Sequence, residues 1–266
     1  MSQQQLPIVL TGVSSGIGAR TARILTNRGV PLIGIDRNKP TEFSGTFVQA
    51  DLSSQAGIDA AAAAVADAAP NGIAGLANIA GVPGTAPWRT VLAINVFGVR
   101  GLVQALAPLL GEGTAVVNLA SSVAVNWREV KAKCAAFALA DDQASALDSV
   151  AGDDEVTGES YLFSKQCVRV LTEHLAAELL PQRIRVNSVS PGPVATPILE
   201  DFKKDHGRDK VEGAGALLGR FGDPDDIAPV IDFMLRPESG WVNGSDIRVD
   251  GGLGAYRGSG LASVRS

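Results

Sequence analysis

Cysteine and histidine are scarce, with two of each among 266 residues. Cys134 and Cys167 form no C-x-x-C pair, which argues against a disulfide framework or a cysteine-built metal site and fits a reducing compartment. His174 and His206 have no cysteine or carboxylate cluster at metal spacing, so no metal is expected, and His174 reads as an ordinary helix-face residue. Positive charge is not in surplus either: 23 Lys and Arg stand against 28 Asp and Glu, a net charge of −5 with no basic run. That pattern excludes the electrostatic footprint of a nucleic-acid or anionic-membrane binder and leaves small molecules as the expected partners. Long apolar runs are also missing. Val91 to Leu110 is interrupted by Asn95, Arg100 and Gln104, and Met1 to Pro7 has neither a basic nor an apolar leader segment. The expected location is therefore the cytoplasm, with no bilayer crossing. Aromatics make up only 5% of the chain, yet 45% of it is hydrophobic, enough for a sizeable core and too much for a disordered tail.

What is present is a recurring alternation. Short apolar runs at Ile8 to Leu10, Leu32 to Ile35, Phe47 to Gln49, Leu76 to Ile79, Val116 to Leu119, Ile184 to Val189 and Ile247 to Val249 read as buried strands. Between them, Ile17 to Arg28, Gly57 to Ala69, Val91 to Leu110, Tyr161 to Leu180 and Asp225 to Met234 carry helical periodicity. This order predicts an α/β fold: a doubly wound parallel sheet of about seven strands with helices on both faces. No linker or fixed-period repeat divides the chain, so residues 1–266 are expected to form one Rossmann-type domain. The alanine-rich patch from Ala60 to Ala69 reads as a surface helix, and Pro31 as the first residue of its strand, where a missing N–H is tolerated.

The first chemical motif is Thr11-Gly-Val-Ser-Ser-Gly-Ile-Gly18, between the first strand and the first helix. Glycines at 12, 16 and 18 permit a tight turn and close approach to a pyrophosphate, and the helix N-terminus offers unpaired N–H groups. Asp36 closes the second strand 18 residues after Gly18, where a dinucleotide site needs a carboxylate for the ribose hydroxyls. A carboxylate repels a 2′-phosphate and the glycine loop has no basic residue, which favours NAD over NADP; Arg37, next in sequence, is the one local feature pulling the other way.

The second motif is Tyr161-Leu-Phe-Ser-Lys165, whose i, i+4 spacing puts the phenol and the ammonium on one helical face. A phenol with a pKa near ~10 is a poor base at neutral pH, and an adjacent ammonium lowers that value by stabilising phenolate.

Together these residues resemble the short-chain dehydrogenase/reductase family over nearly the whole chain, Ile8 to Gly252. The resemblance implies a cofactor loop made of Thr11, Gly12, Ser14, Ser15, Gly16, Ile17 and Gly18, with Asp36 and Arg37 beside it and Asp51-Leu52 as the adenine-contacting pair. It further implies Asn78, Ala80 and Gly81 at a strand end, and Pro191, Gly192, Val194 and Thr196 in the turn that holds the nicotinamide amide; Tyr161 and Lys165 belong to the cofactor site as well. Asn95, Ser122, Tyr161 and Lys165 are the implied catalytic group. Ser121 competes with Ser122, which is preferred as the second of the pair. The implied mechanism has Tyr161 phenolate remove the hydroxyl proton as hydride passes to NAD. Ser122 hydrogen-bonds the alcohol oxygen, Lys165 holds ribose hydroxyls, and Asn95 anchors a proton-relaying water. Asn78 as a bridge between strands and Asp51 as a helix cap are the packing alternatives.

Two departures stand out. Asn78 and Asn95 are only 17 residues apart, and Ser122 and Tyr161 are 39 apart, far more than is usual in the family. The extra segment, Trp127 to Glu159, leaves and rejoins the fold at the pocket rim, and is read as one or two added helices over the active-site mouth: a wall or lid, an interface piece, or decoration. The pattern is most similar to bacterial members acting on bulky alcohols, coniferyl alcohol first and 3α-hydroxysteroids less closely. Val82, Pro83, Val123, Val125, Trp127 and Ile198 to Phe202 are the expected apolar pocket. A sensor that binds dinucleotide without turnover and a methyltransferase are the alternatives, and neither needs Tyr161 and Lys165. The helices Val91 to Leu110 and Tyr161 to Leu180 carry more apolar residues than one sheet-facing stripe requires, which predicts a homodimer or homotetramer.

Overall fold

The computed structural model describes residues 5–259. Seven strands form one sheet: β1 (Ile8–Thr11), β2 (Leu32–Asp36), β3 (Thr46–Gln49), β4 (Ile73–Asn78), β5 (Leu110–Leu119), β6 (Arg185–Pro191) and β7 (Asp246–Val249). All pairings are parallel and the order is β3-β2-β1-β4-β5-β6-β7. The chain winds outward from β1 in one direction, then returns and winds outward from β4 in the other. The connections therefore diverge between β1 and β4, which opens a crevice at the carboxyl ends of those strands.

The helices are α1 (Gly16–Asn27), α2 (Gln55–Ala68), α3 (Trp88–Leu92), α4 (Val99–Ala105), α5 (Lys131–Ala138), α6 (Gln143–Ser149), α7 (Asp154–Gly158), α8 (Ser160–Glu178), α9 (Leu199–His206), α10 (Arg208–Leu218), α11 (Pro224–Leu235) and α12 (Leu253–Gly258). A π-helical turn, Ala93–Gly98, joins α3 to α4. Val91 to Leu110 is thus not one helix; it ends in a 3₁₀ turn, Ala107–Leu109, and Leu110 already belongs to β5.

Both sheet faces are buried, so the strands are apolar at successive positions rather than at alternate ones. On one face Val9, Ile33, Ile35, Leu76 and Val116 pack with Ile58 and Val65 of α2, Leu102 of α4 and Leu175 of α8. On the other, Ile8, Leu10, Leu32 and Val117 pack with Leu25 of α1 and Ile227, Ile231 and Met234 of α11. The alanine-rich α2 is a surface helix with one buried face: Ala60, Ala63, Ala66 and Ala68 are exposed, while Ala61, Ala62 and Val65 are buried in the first of these cores. Small side chains there let the helix approach the sheet closely. Pro31 lies one residue before β2, and its carbonyl accepts from Ile8 N (3.0 Å).

Residues 127–159 build a third core. Trp127, Cys134, Phe137, Leu147, Val150 and Val156 pack against Leu92, Val96 and Phe97 and against Phe163, Cys167, Val170 and Leu171 of α8. Phe137 sits edge-on between Phe97 and Phe163, with ring centroids 5.2 and 5.3 Å away. Asp142 and Asp153 accept from Ser145 N and Val156 N and so start α6 and α7. The apolar surplus of the two long helices, which pointed to a symmetry mate, is therefore covered by the chain's own inserted helices. Cys134 and Cys167, distant in sequence, meet in this core as free thiols, Cys167 Sγ lying 3.9 Å from the Cys134 carbonyl oxygen. Among the described residues no helix is long and apolar enough to cross a membrane, and no group of three or more His, Cys, Asp or Glu could hold a metal ion. His174 lies on the exposed side of α8, 3.5 Å from Glu178.

Candidate active site

The crevice is a cavity that runs along the carboxyl edge of the sheet, from Asp36 and Asp51 beside β2 and β3, past the glycine loop and Gly81, to Ser121, Tyr161 and Phe202. With strands about 4.8 Å apart, the step from β2 to β5 alone spans roughly 14 Å.

At one end, Asp36 Oδ2 accepts from both Ser14 N (2.9 Å) and Ser14 Oγ (2.7 Å), while Oδ1 accepts from Asn38 N (2.8 Å). Four of the carboxylate's acceptor directions are not all used by these three donors, so it can still take a hydroxyl from the cavity. Arg37, Asp51 and Leu52 also line this end, with Asp51 Oδ1 accepting from Ser53 N (3.0 Å).

The glycine loop comes next. Gly12 has φ +77°, and a Cβ there would lie 2.9 Å from Ala80 N; Gly16 has φ +54° and would crowd the Thr196 side chain. Ser14, Ser15, Gly16, Ile17 and Gly18 all line the cavity, and Ser15, the N-cap of α1, makes no side-chain capping bond. The start of a twelve-residue helix, with its N-terminal N–H groups free of a side-chain cap, therefore borders the cavity, which fits the diphosphate of a dinucleotide. Ala80, Gly81, Pro191, Gly192, Val194 and Thr196 line the cavity as expected.

Tyr161 and Lys165 occupy the first two turns of α8. The Lys165 side chain is buried; its Nζ donates to Leu119 O (2.8 Å) and stands 5.5 Å from the centre of the Tyr161 ring. Burial pushes its ammonium down to about 8, from an ordinary 10.5, because water no longer solvates the charge. Gly81 makes room for Asn95, since a Cβ there would lie 3.1 Å from Asn95 Oδ1.

Four expected residues are placed differently. Ser121 lines the cavity and Ser122 does not. Ala120 N and Ser122 N donate to Val189 O and Pro191 O (both 2.9 Å), which continues the β5–β6 ladder past Leu119. Successive side chains alternate across such a ladder, so only one of the two serines can face the cavity. Asn95 does not line the cavity either: Oδ1 accepts from Val82 N (2.9 Å), and Nδ2 donates to Val82 O (3.0 Å) and Ser164 Oγ (3.1 Å). With both amide hydrogens committed, this side chain fastens the loop after β4 to α8 and leaves no donor for a relay water. Asn78 likewise bridges strands, donating to Asn118 Oδ1 (2.9 Å), its register partner on β5. Thr11 works from behind the cavity: its hydroxyl oxygen accepts from Ile79 N and Ala80 N (2.9 Å each) and draws β4 against β1.

Of the expected apolar pocket, Val82, Pro83, Ile198 and Phe202 line the cavity, joined by Ile94 and Pro197, which sequence reasoning missed. Val125 is exposed and Trp127 is buried in the third core. No residue of 127–159 lines the cavity, which corrects the reading of that segment as a wall or lid: its buried apolar residues pack on α8 and on Leu92, Val96 and Phe97 instead.

Residues 12–254 match the family model described as enoyl-(acyl carrier protein) reductase. The chain is 38% identical over 253 residues to coniferyl-alcohol dehydrogenase of Pseudomonas sp. (strain HR199 / DSM 7063), covering 92% of this chain and 95% of that protein. It is 31% identical to 3-alpha-hydroxysteroid dehydrogenase/carbonyl reductase of Comamonas testosteroni, covering 93% and 96%. Among solved structures, 3-alpha-hydroxysteroid dehydrogenase from Pseudomonas sp. B-0831 in complex with NADH superimposes with a TM-score of 0.83 at 33% identity, over 97% of this chain and 99% of that one.

Proposed function

The chain belongs to the short-chain dehydrogenase/reductase family of oxidoreductases, and on that footing we propose that it is an NAD-dependent dehydrogenase that interconverts a bulky apolar alcohol and its carbonyl. The observation that carries this reading is the meeting of Ser121, Tyr161 and Lys165 at one end of a cavity whose other end presents Asp36 and the glycine loop. The solved relative with NADH bound and the relative named for coniferyl alcohol support the cofactor and the alcohol class.

Bound NAD supplies the hydride acceptor. Gly12 to Gly18 would hold its diphosphate at the α1 N-terminus, Asp36 would accept from the adenosine ribose hydroxyls, and Lys165 would donate to the second ribose. Tyr161, as phenolate, removes the hydroxyl proton of the alcohol while Ser121 donates a hydrogen bond to the same oxygen. Lys165 stabilises the phenolate by its charge, and Leu119 O fixes the direction of its ammonium. Asn95 positions this group by tying α8 to the 82 loop. A dinucleotide sensor without turnover would have no use for a serine, a phenol and a buried ammonium converging on one point.

Purified protein supplied with NAD and a panel of primary and secondary alcohols, aryl alcohols included, is expected to form NADH. Tyr161→Phe should lower that rate by about 10²- to 10⁴-fold with NAD affinity nearly unchanged. Retention of more than a tenth of the rate would rule out the phenolate mechanism.

A further inference from the structure

Few charged side chains line the cavity. Besides Lys165, the charged side chains that line the cavity are Asp36, Arg37 and Asp51 at the β2–β3 end, while Val82, Pro83, Ile94, Pro197, Ile198 and Phe202 supply apolar lining. Phe202 is the one aromatic ring in that lining apart from Tyr161 itself. It stands edge to face with the phenol, ring centroids 4.9 Å apart and planes at 64°. A carbinol whose oxygen reaches Tyr161 therefore comes close to the Phe202 ring.

The ring is held from behind. Lys203, the next residue of α9, is only 12% exposed; it pairs with Glu200 (2.6 Å) and with Glu212 of α10 (3.7 Å), and its ammonium lies 5.5 Å from the centre of the Phe221 ring. Phe221 packs so closely on Gly215 of α10 that a Cβ there would lie 2.8 Å from it. Neighbours on a helix point about 100° apart, so this anchor on the far side sets the angle at which Phe202 enters the cavity.

We propose that Phe202 is the residue that determines substrate class, selecting alcohols whose carbinol is conjugated to a flat aromatic ring over saturated rings and polyols. This rests on the dehydrogenase reading of the same site. A planar ring gains from offset or edge-on contact with Phe202 as well as from burial. A saturated ring gains burial alone, and each extra hydroxyl of a polyol loses water against the apolar side chains of that lining.

The test is equilibrium binding to the NADH-loaded protein, where no turnover occurs, followed by steady-state kinetics with NAD. Cinnamyl alcohol, cyclohexanol and threitol serve as probes for wild type, Phe202→Leu, which keeps most of the bulk, and Phe202→Ala. Wild type is expected to bind cinnamyl alcohol at least tenfold more tightly than cyclohexanol and to bind threitol weakest. Phe202→Leu and Phe202→Ala should each weaken cinnamyl alcohol about tenfold and cyclohexanol less than threefold, with NADH affinity unchanged. In kinetics kcat/KM should fall more for the aryl alcohol than for cyclohexanol. An equal change for both alcohols, an unchanged aryl alcohol in Phe202→Ala, or no binding of cinnamyl alcohol to wild type overturns the proposal. Binding with the expected selectivity but no NADH formed from any alcohol would instead count against the dehydrogenase reading and leave the role of Phe202 in recognition standing.

Discussion

Ser14 meets Asp36 twice on one carboxylate oxygen, through its backbone N–H at 2.9 Å and its hydroxyl at 2.7 Å. The residue that closes β2 thereby also holds the glycine loop, so the ribose-binding carboxylate and the diphosphate-binding turn are positioned as a unit. Asp36 is set there by the strand, and the loop is shaped around it.

From this link it follows that wild type should bind NAD at least about tenfold more tightly than NADP, roughly 1.4 kcal/mol. Asp36→Ala removes the repulsion of a 2′-phosphate and leaves Arg37 beside it, so the gap should narrow to about threefold or less. Because the Ser14 bonds are lost as well, NAD itself should bind more weakly. Titrations of both nucleotides decide the matter, and a wild type that prefers NADP would sink the assignment.

The two serines after β5 separate cleanly. Ser121→Ala should lower kcat by about 10²-fold, the usual loss when a donor to the reacting oxygen is removed. Ser122→Ala, whose backbone bond to Pro191 O survives the change, should stay within about threefold of wild type. The opposite ranking in single-turnover kinetics would restore Ser122.

Lys165 is expected to be a stability cost that function requires. Its ammonium has been lowered to about 8 from 10.5 by burial, so between those values the unfolded chain binds more protons than the folded one. Stability therefore rises with pH across that window. Below about pH 8 the lysine is charged in both states, and the folded state carries a penalty of about 3 kcal/mol, from which its bond to Leu119 O recovers about 1 kcal/mol. Lys165→Met should thus be about 2 kcal/mol more stable at pH 7 and lose the advantage by about pH 10.5, with turnover abolished. Urea unfolding at both pH values checks this; a variant less stable at pH 7 contradicts it.

The inserted helices should matter to stability and not to substrate. Phe137→Ala empties the space between Phe97 and Phe163 and should cost about 3–5 kcal/mol, with KM and NAD affinity unchanged in the fraction that remains folded. A selective rise in KM at unaltered stability would return the segment to the role of a lid.

The order of strands and helices, the glycine loop, Asp36 and the Tyr161/Lys165 pair were legible in the chain because each is a local pattern. Apolar runs, positive-φ turns and i, i+4 spacing are set by nearest neighbours along the backbone. Which of two adjacent serines faces the cavity was decided by the ladder that Ala120 and Ser122 make with β6, a strand more than sixty residues away. That Asn95 and Asn78 work behind the site and not in it depended on which buried donors and acceptors the folded chain placed beside them. The fate of residues 127–159 was hidden for a related reason. Composition marks their apolar side chains as buried, but it does not say against what; only the packed fold, with faces of α8 and of the Leu92–Phe97 segment left bare by the sheet, made the surface they cover.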